Sequence, residues 1–247
     1  NGLNSYSPAI AKRRAEQCSR NAVTLLKQNL QVADITHTVI WLGGDFITGY
    51  LHQELCETNA MGPVEEAYYA YELLAQSLST ISKCGAGGKI TVVCNRGNHG
   101  RTTKKMQYKN DDQTSFESFI YWCLRDRFPE LNWVINSSDI TYLNLSRKFT
   151  LRFIHGHQIR YNGGVGGISV PLRKWIAKQQ DSVHADFTVL GHFHQRQMGP
   201  DFLVNGSTTG YDEFAQSHGF SYEPPQQSFF LVDHEYNMVS TSNPIFS

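Results

Sequence analysis

Several Asp, Asn and His residues of this 247-residue chain fall in short turn-forming contexts directly after apolar runs. Gly191-His192-Phe193-His194 is the most pointed case. In extended backbone, positions i and i+2 share a side, so His192 and His194 can present two imidazoles to one centre, a common arrangement for transition metals. Two histidines on a solvated loop is the other reading. Arg96-Gly97-Asn98-His99 offers an amide oxygen that can ligate a metal. Beside it stands an imidazole able to give a proton or a hydrogen bond to a phosphate. Taken alone, Asn and Gly make a plain turn. Gly43-Gly44-Asp45 places a carboxylate where it can bridge two divalent cations about 3.5–4 Å apart, or simply cap a turn. His155-Gly156-His157 is the fourth such group.

The elements that must position these groups are β-rich runs at residues 38–42 (TVIWL), 89–94 (KITVVC), 150–154 (TLRFI), 186–190 (DFTVL) and 202–204. The segment 228–232 reads as the last apolar strand, with a polar tail. Helices are predicted over 9 to about 30, rich in Ala, Leu, Lys, Arg and Gln, and over 63 to about 81, where Pro63 opens a first turn carrying two Glu. Segments 116–128 and 172–180 are further helix candidates. Residues 1–8 read as loop. Strands alternating with helices predict a layered α/β fold. Ligands of open α/β sheets gather beyond the carboxyl ends of the strands, so these distant loops can meet.

A 40% hydrophobic content with 18% charged residues supplies a core and excludes a disordered chain. A formal net charge of zero gives no overall signal for a nucleic-acid binder, though a local patch stays open. Five Cys, an odd number without a Cys-x-x-Cys pair, argue against a zinc ribbon or disulfide framework and for reduced thiols in a cytoplasmic protein. No apolar run approaches a membrane span. One domain over residues 1–247 is expected, and the start without Met leads us to expect sequence upstream.

The ordered set Gly44-Asp45, Gly97-Asn98-His99, His155 and Gly191-His192-Phe193-His194 resembles the calcineurin-like metallophosphoesterases, with Val204-Asn205-Gly206-Ser207 similar to the segment that follows. Overall the chain looks closest to repair-exonuclease-like and phage members. The resemblance spans about residues 38–232. It implies a metallophosphoesterase-type layered β-sandwich flanked by helices. It implies hydrolysis of a phosphate ester by metal-bound hydroxide at two divalent ions, Mn preferred, with Fe, Zn or Ni as alternatives. Asp45 would bridge the metals. Asn98, His155 and His192 would ligate the second, and His194 the first. His99 would act on the phosphate and leaving group, while His157 lines the site.

Two departures accompany the likeness. The family's Asp-x-His after a first strand is absent: Asp34 and His37 have the wrong spacing, and Asp233-His234 lies at the wrong end. The domain is therefore expected to lack its first strand and to bind the first metal weakly. The acid expected after Gly-Asn-His is Gly100 here, followed by Arg101. Arg101 and Lys104 would contact substrate phosphate, and with Lys105 and Lys109 they suit a polyanion such as DNA. Tyr108 could stack on a base, whereas Phe116 and Tyr121 are expected in the core. Three functions stay open: a DNA nuclease, a phosphatase or phosphodiesterase on a small molecule or protein, and a catalytically inactive binding module of the same fold. No membrane partner is expected.

Overall fold

Pro8 opens the first helix because Ser7, in extended conformation, accepts a hydrogen bond from the Ile10 N–H and so caps it. The predicted N-terminal loop therefore ends at Ser7. The computed structural model describes residues 4–51, 53–85, 87–161, 167–233 and 235–247, with only the backbone of 241 and 242. Residues 1–3 of the predicted loop, and His234, lie outside the described residues.

The chain is mixed α/β. Its elements are α1 (Pro8–Asn29), β1 (His37–Leu42), α2 (Gln53–Thr58), α3 (Pro63–Ser82), β2 (Lys89–Cys94), a 3-10 turn (Asp111–Gln113) and α4 (Phe116–Arg127). There follow β3 (Asn132–Ile135), β4 (Ile140–Ser146), β5 (Phe149–Ile154), α5 (Ser169–Gln180), β6 (Phe187–Leu190) and β7 (Gln197–Met198). The last are β8 (Phe202–Val204), α6 (Glu213–Ser217), β9 (Gln226–Asp233) and β10 (Met238–Phe246). The strand expected at 228–232 is thus longer and is not the last. It forms an antiparallel hairpin with β10.

Register decides where the loops leave. In the parallel sheet β1-β2-β3, Leu42 pairs with Cys94 and Cys94 with Ile135, so these strands end level. In the sheet β4-β5-β6-β8-β7, the parallel core pairs Ile154 with Leu190 and Leu190 with Val204, again ending level. His155, Gly191 and Asn205 consequently start from one edge.

Side chains alternate across β2: Val92 and Cys94 pack toward α3 and α4 among Leu78, Ile120, Tyr121 and Leu124. Val93 faces the other way, into a cluster shared with Phe149, Leu151, Phe153, Phe187, Val189 and Leu203 of the larger sheet. A third cluster joins Leu172 and Ile176 of α5 to Ile154, Leu190, Phe202 and Val204. Tyr121 is fully buried and Phe116 packs on the first cluster, as expected from sequence. No helix among the described residues is long and apolar enough to cross a membrane.

Candidate metal centre

Three of the candidate ligands sit in left-handed backbone, which non-glycine residues rarely adopt: Asp45 at φ 56°, His192 at φ 69° and His194 at φ 59°. Such conformations cost free energy and persist where the surroundings impose them, often at functional sites. The loops after β1 and β2 approach so closely that only glycine fits between them. A Cβ on Gly97 would stand 2.0 Å from Asp45 Oδ1, and one on Gly44 2.2 Å from the Gly97 nitrogen.

At the centre of the cluster an imidazole faces a carboxylate. His155 donates its Nδ1–H to the Gly43 carbonyl at 2.7 Å, which turns Nε2 toward Asp45 Oδ2 at 3.0 Å. The two groups stand at ion-pair distance. A lone pair and a carboxylate oxygen so placed repel unless a proton or a cation lies between them. His192 completes the group: ligand atoms of Asp45, His155 and His192 all lie within 4.8 Å of one another. The His155 ring centroid is 5.1 Å from that of His192 and 5.5 Å from that of His157. Asn98 Oδ1, His157 Nδ1, His194 Nδ1 and Asn205 Oδ1 are buried with no hydrogen-bond partner. Orphaned buried acceptors are rare in folded proteins and point to an ion or water. A backbone carbonyl holding the far nitrogen of a His is also the usual support of a metal ligand.

The electrostatics agree with that geometry. Burial works against ionised Asp45, but His155 and His99 outweigh it and hold the carboxyl well below the usual range. Burial likewise opposes the charge on His155, and Asp45 overcomes it, pushing its pKa up. Burial, with His155 close by, lowers His192 to about 3 and His157 to about 4. His194 is lowered too, chiefly by burial. Neutral imidazoles keep the lone pair that a metal requires.

His99 is fixed from two sides: its backbone N–H donates to Asp45 Oδ1 at 2.8 Å, and its Nδ1–H donates to the Thr48 carbonyl at 2.8 Å. Arg101 is tethered beside Asn98, donating to the Asn98 carbonyl at 2.7 Å. Lys104 is exposed further along the same loop, and no hydrogen bond or ion pair ties it to the cluster. The other acids and histidines read from sequence stay outside. Asp34 is exposed, His37 bonds Thr91 on β2, and Asp233 accepts from the Glu235 and Tyr236 N–H groups in a turn.

Glu117 was missed. It is fully buried and accepts the Phe46 N–H at 2.8 Å and the Gly97 N–H at 2.6 Å. The signal was present: residues 117, 120, 121 and 124 share one buried stripe of α4, and a Glu has no apolar reason to lie there. A groove of about 710 Å³ between α1, α3 and α4, lined by Lys12, Tyr69, Glu72 and Arg127, lies apart from the cluster and includes none of its residues. No protein-family model matches the chain, and no curated protein matches it.

Proposed function

We propose that this chain is a metal-dependent phosphoesterase. The observation that carries the proposal is the facing pair Asp45 Oδ2 and His155 Nε2, 3.0 Å apart, with His192 in the same group and the Asn98 amide oxygen, on the loop whose His99 N–H bonds Asp45, buried without a partner. Asp45, Asn98, His155 and His192 would hold one divalent cation, Mn by preference, and Asp45 with His194 would reach a second. Such cations supply positive charge that polarises a phosphoryl oxygen and makes bound water acidic enough to react near neutral pH. His99, held through Nδ1, would exchange a proton with the leaving oxygen. Arg101 would bind the phosphoryl oxygens. The cluster shared by the two larger sheets, with α3 and α4 outside one and α5 outside the other, supports a metallophosphoesterase-type layered sandwich. The exposed Lys104, Lys105 and Lys109 favour a polyanionic ester such as a DNA strand.

The test is Mn titration of metal-stripped protein, with bis(p-nitrophenyl) phosphate and with single- and double-stranded DNA. Hydrolysis should require Mn and should fall by about 100-fold or more in Asp45→Asn and His192→Ala, since ligands matter at least as much as the groups supporting them. Full activity in either variant, or wild-type protein that binds no divalent cation, would overturn the reading. Tight Mn binding without hydrolysis of any phosphate ester would instead make the chain a binding module.

A further inference from the structure

Glu117 is a completely buried carboxyl group and, among the described residues, no cationic side chain forms an ion pair with it. An ionised carboxylate removed from water without a counter-charge costs several kcal/mol, so its position needs a reason. Its two oxygens go to two different loops. Oε1 accepts from Phe46, the residue after Asp45, and Oε2 accepts from Gly97, the residue before Asn98. The carboxylate therefore spans the loops after β1 and β2 at the point where each carries a metal-ligand candidate. Its own placement is equally determined. Ser115 caps α4 by accepting the Glu117 N–H at 3.2 Å, and the Phe116 N–H donates to the Gly100 carbonyl at 2.8 Å. A Cβ on Gly100 would stand 2.7 Å from Glu117 Cγ and 3.0 Å from Cδ. Gly100 is thus the empty space into which the Glu117 side chain passes. Burial and the nearby Asp45 carboxylate both oppose the negative charge on Glu117. A divalent cation held by Asp45 would offset both carboxylates together.

We infer that Glu117 is a positioning residue of the metal centre, a buried carboxylate that locks the Asp45 loop to the Asn98 loop and adds negative charge beneath the cation, with Gly100 as its required neighbour. This rests on the metal-dependent reading above. Glu117→Gln keeps the volume but turns one acceptor into an N–H donor facing a backbone N–H, and it removes the charge. Gly100→Ala keeps the carboxylate but pushes it out of position. Mn affinity measured by calorimetry on metal-stripped protein should weaken about 10–100-fold in Glu117→Gln and in the same direction in Gly100→Ala. The metal-free melting temperature should fall in both variants, from the buried donor pair in one and the close contact in the other, and the Mn-induced rise in it should shrink as well. The EPR spectrum of bound Mn should also change in both variants, because the ligand loops shift.

Wild-type Mn affinity in Glu117→Gln overturns the inference while leaving the phosphoesterase reading intact. A lowered metal-free melting temperature with unchanged Mn affinity makes Glu117 a structural residue only, and also overturns it. If Glu117→Gln does not fold, Gly100→Ala decides alone: weaker Mn binding upholds the clamp and unchanged binding removes it. A wild-type chain that binds no Mn fails the phosphoesterase reading first, and the inference with it.

Discussion

At the scale of single residues, the chemistry depends on which atom of each side chain is already engaged. His155 and His99 each donate Nδ1–H to a backbone carbonyl, of Gly43 and Thr48 respectively. The two histidines differ in what lies ahead of them. His155 faces Asp45 at 3.0 Å, as a ligand does, whereas His99 touches Asp45 through its backbone. His99→Ala should therefore leave Mn affinity within a few-fold of wild type and lower kcat at saturating Mn by about 10²–10⁴-fold, the usual contribution of a proton-transfer group. Lost Mn affinity with unchanged kcat would assign His99 to the metal instead. Asp45, Asn98, His155, His192 and His194 stand out as candidates in the sequence because each follows an apolar run in a turn-forming context, and the fold brings the ligand atoms of Asp45, His155 and His192 together. Glu117 was marked only by its place on the buried stripe of α4, and its partners, 71 and 20 residues away in sequence, could not be read.

At the scale of elements, the level strand ends place the loops, and glycine lets them touch. Gly97→Ala forces a Cβ to within 2.3 Å of the Asp45 nitrogen as well as against its carboxylate. Neither is the movable end of a flexible side chain, so the loops must separate. A loss of about 1–3 kcal/mol is expected, as for other overpacked sites, together with weaker Mn binding; urea melts and Mn titrations of the variant would show both. A variant as stable and as Mn-competent as wild type would mean that the loops have slack that the close contacts conceal. The elements α1, α3, α4 and β2 were readable within a residue or two of their ends, as was the three-residue β8, an apolar run closed by Asn205-Gly206. β7 spans two residues, α2 six and α6 five, too short for any periodicity to register. β10 went unread although it pairs along most of β9. Its run of Ser, Thr, Asn and Pro has little apolar alternation, and its pairing comes from the partner strand.

At the scale of the whole molecule, the cluster makes stability depend on pH. His192 and His157 are depressed to about 3 and about 4 from an ordinary value of 6.5. As pH falls below 6.5, the unfolded chain takes up these protons first, so the metal-free fold loses stability until the folded-state values are reached. His155 runs the other way. Its raised pKa adds stability that is complete below 6.5 and fades as pH rises through the folded value, and Glu117, raised to about 7, acts in the same sense, so on acidification from pH 7.5 the two return part of what the lowered rings lose. Because these contributions oppose one another, the lowered rings are isolated by a variant: between pH 7.5 and 5.5, metal-free His157→Ala should lose about 1 kcal/mol less stability than wild type, at about 1.4 kcal/mol per unit and group. Urea unfolding of both proteins in EDTA at the two pH values would measure it, and the same pH dependence in variant and wild type would show that the His157 ring is not held neutral. The sequence by itself determined the α/β character and the order of the candidate ligands, because apolar periodicity and turn chemistry act over a few residues. Only the tertiary structure decided that Asp45, His155 and His192 share one point, that Asp34 and His37 do not join them, and that Glu117 lies beneath. Those outcomes depend on strand register, glycine-permitted loop contact and helix docking, which join residues far apart in the chain.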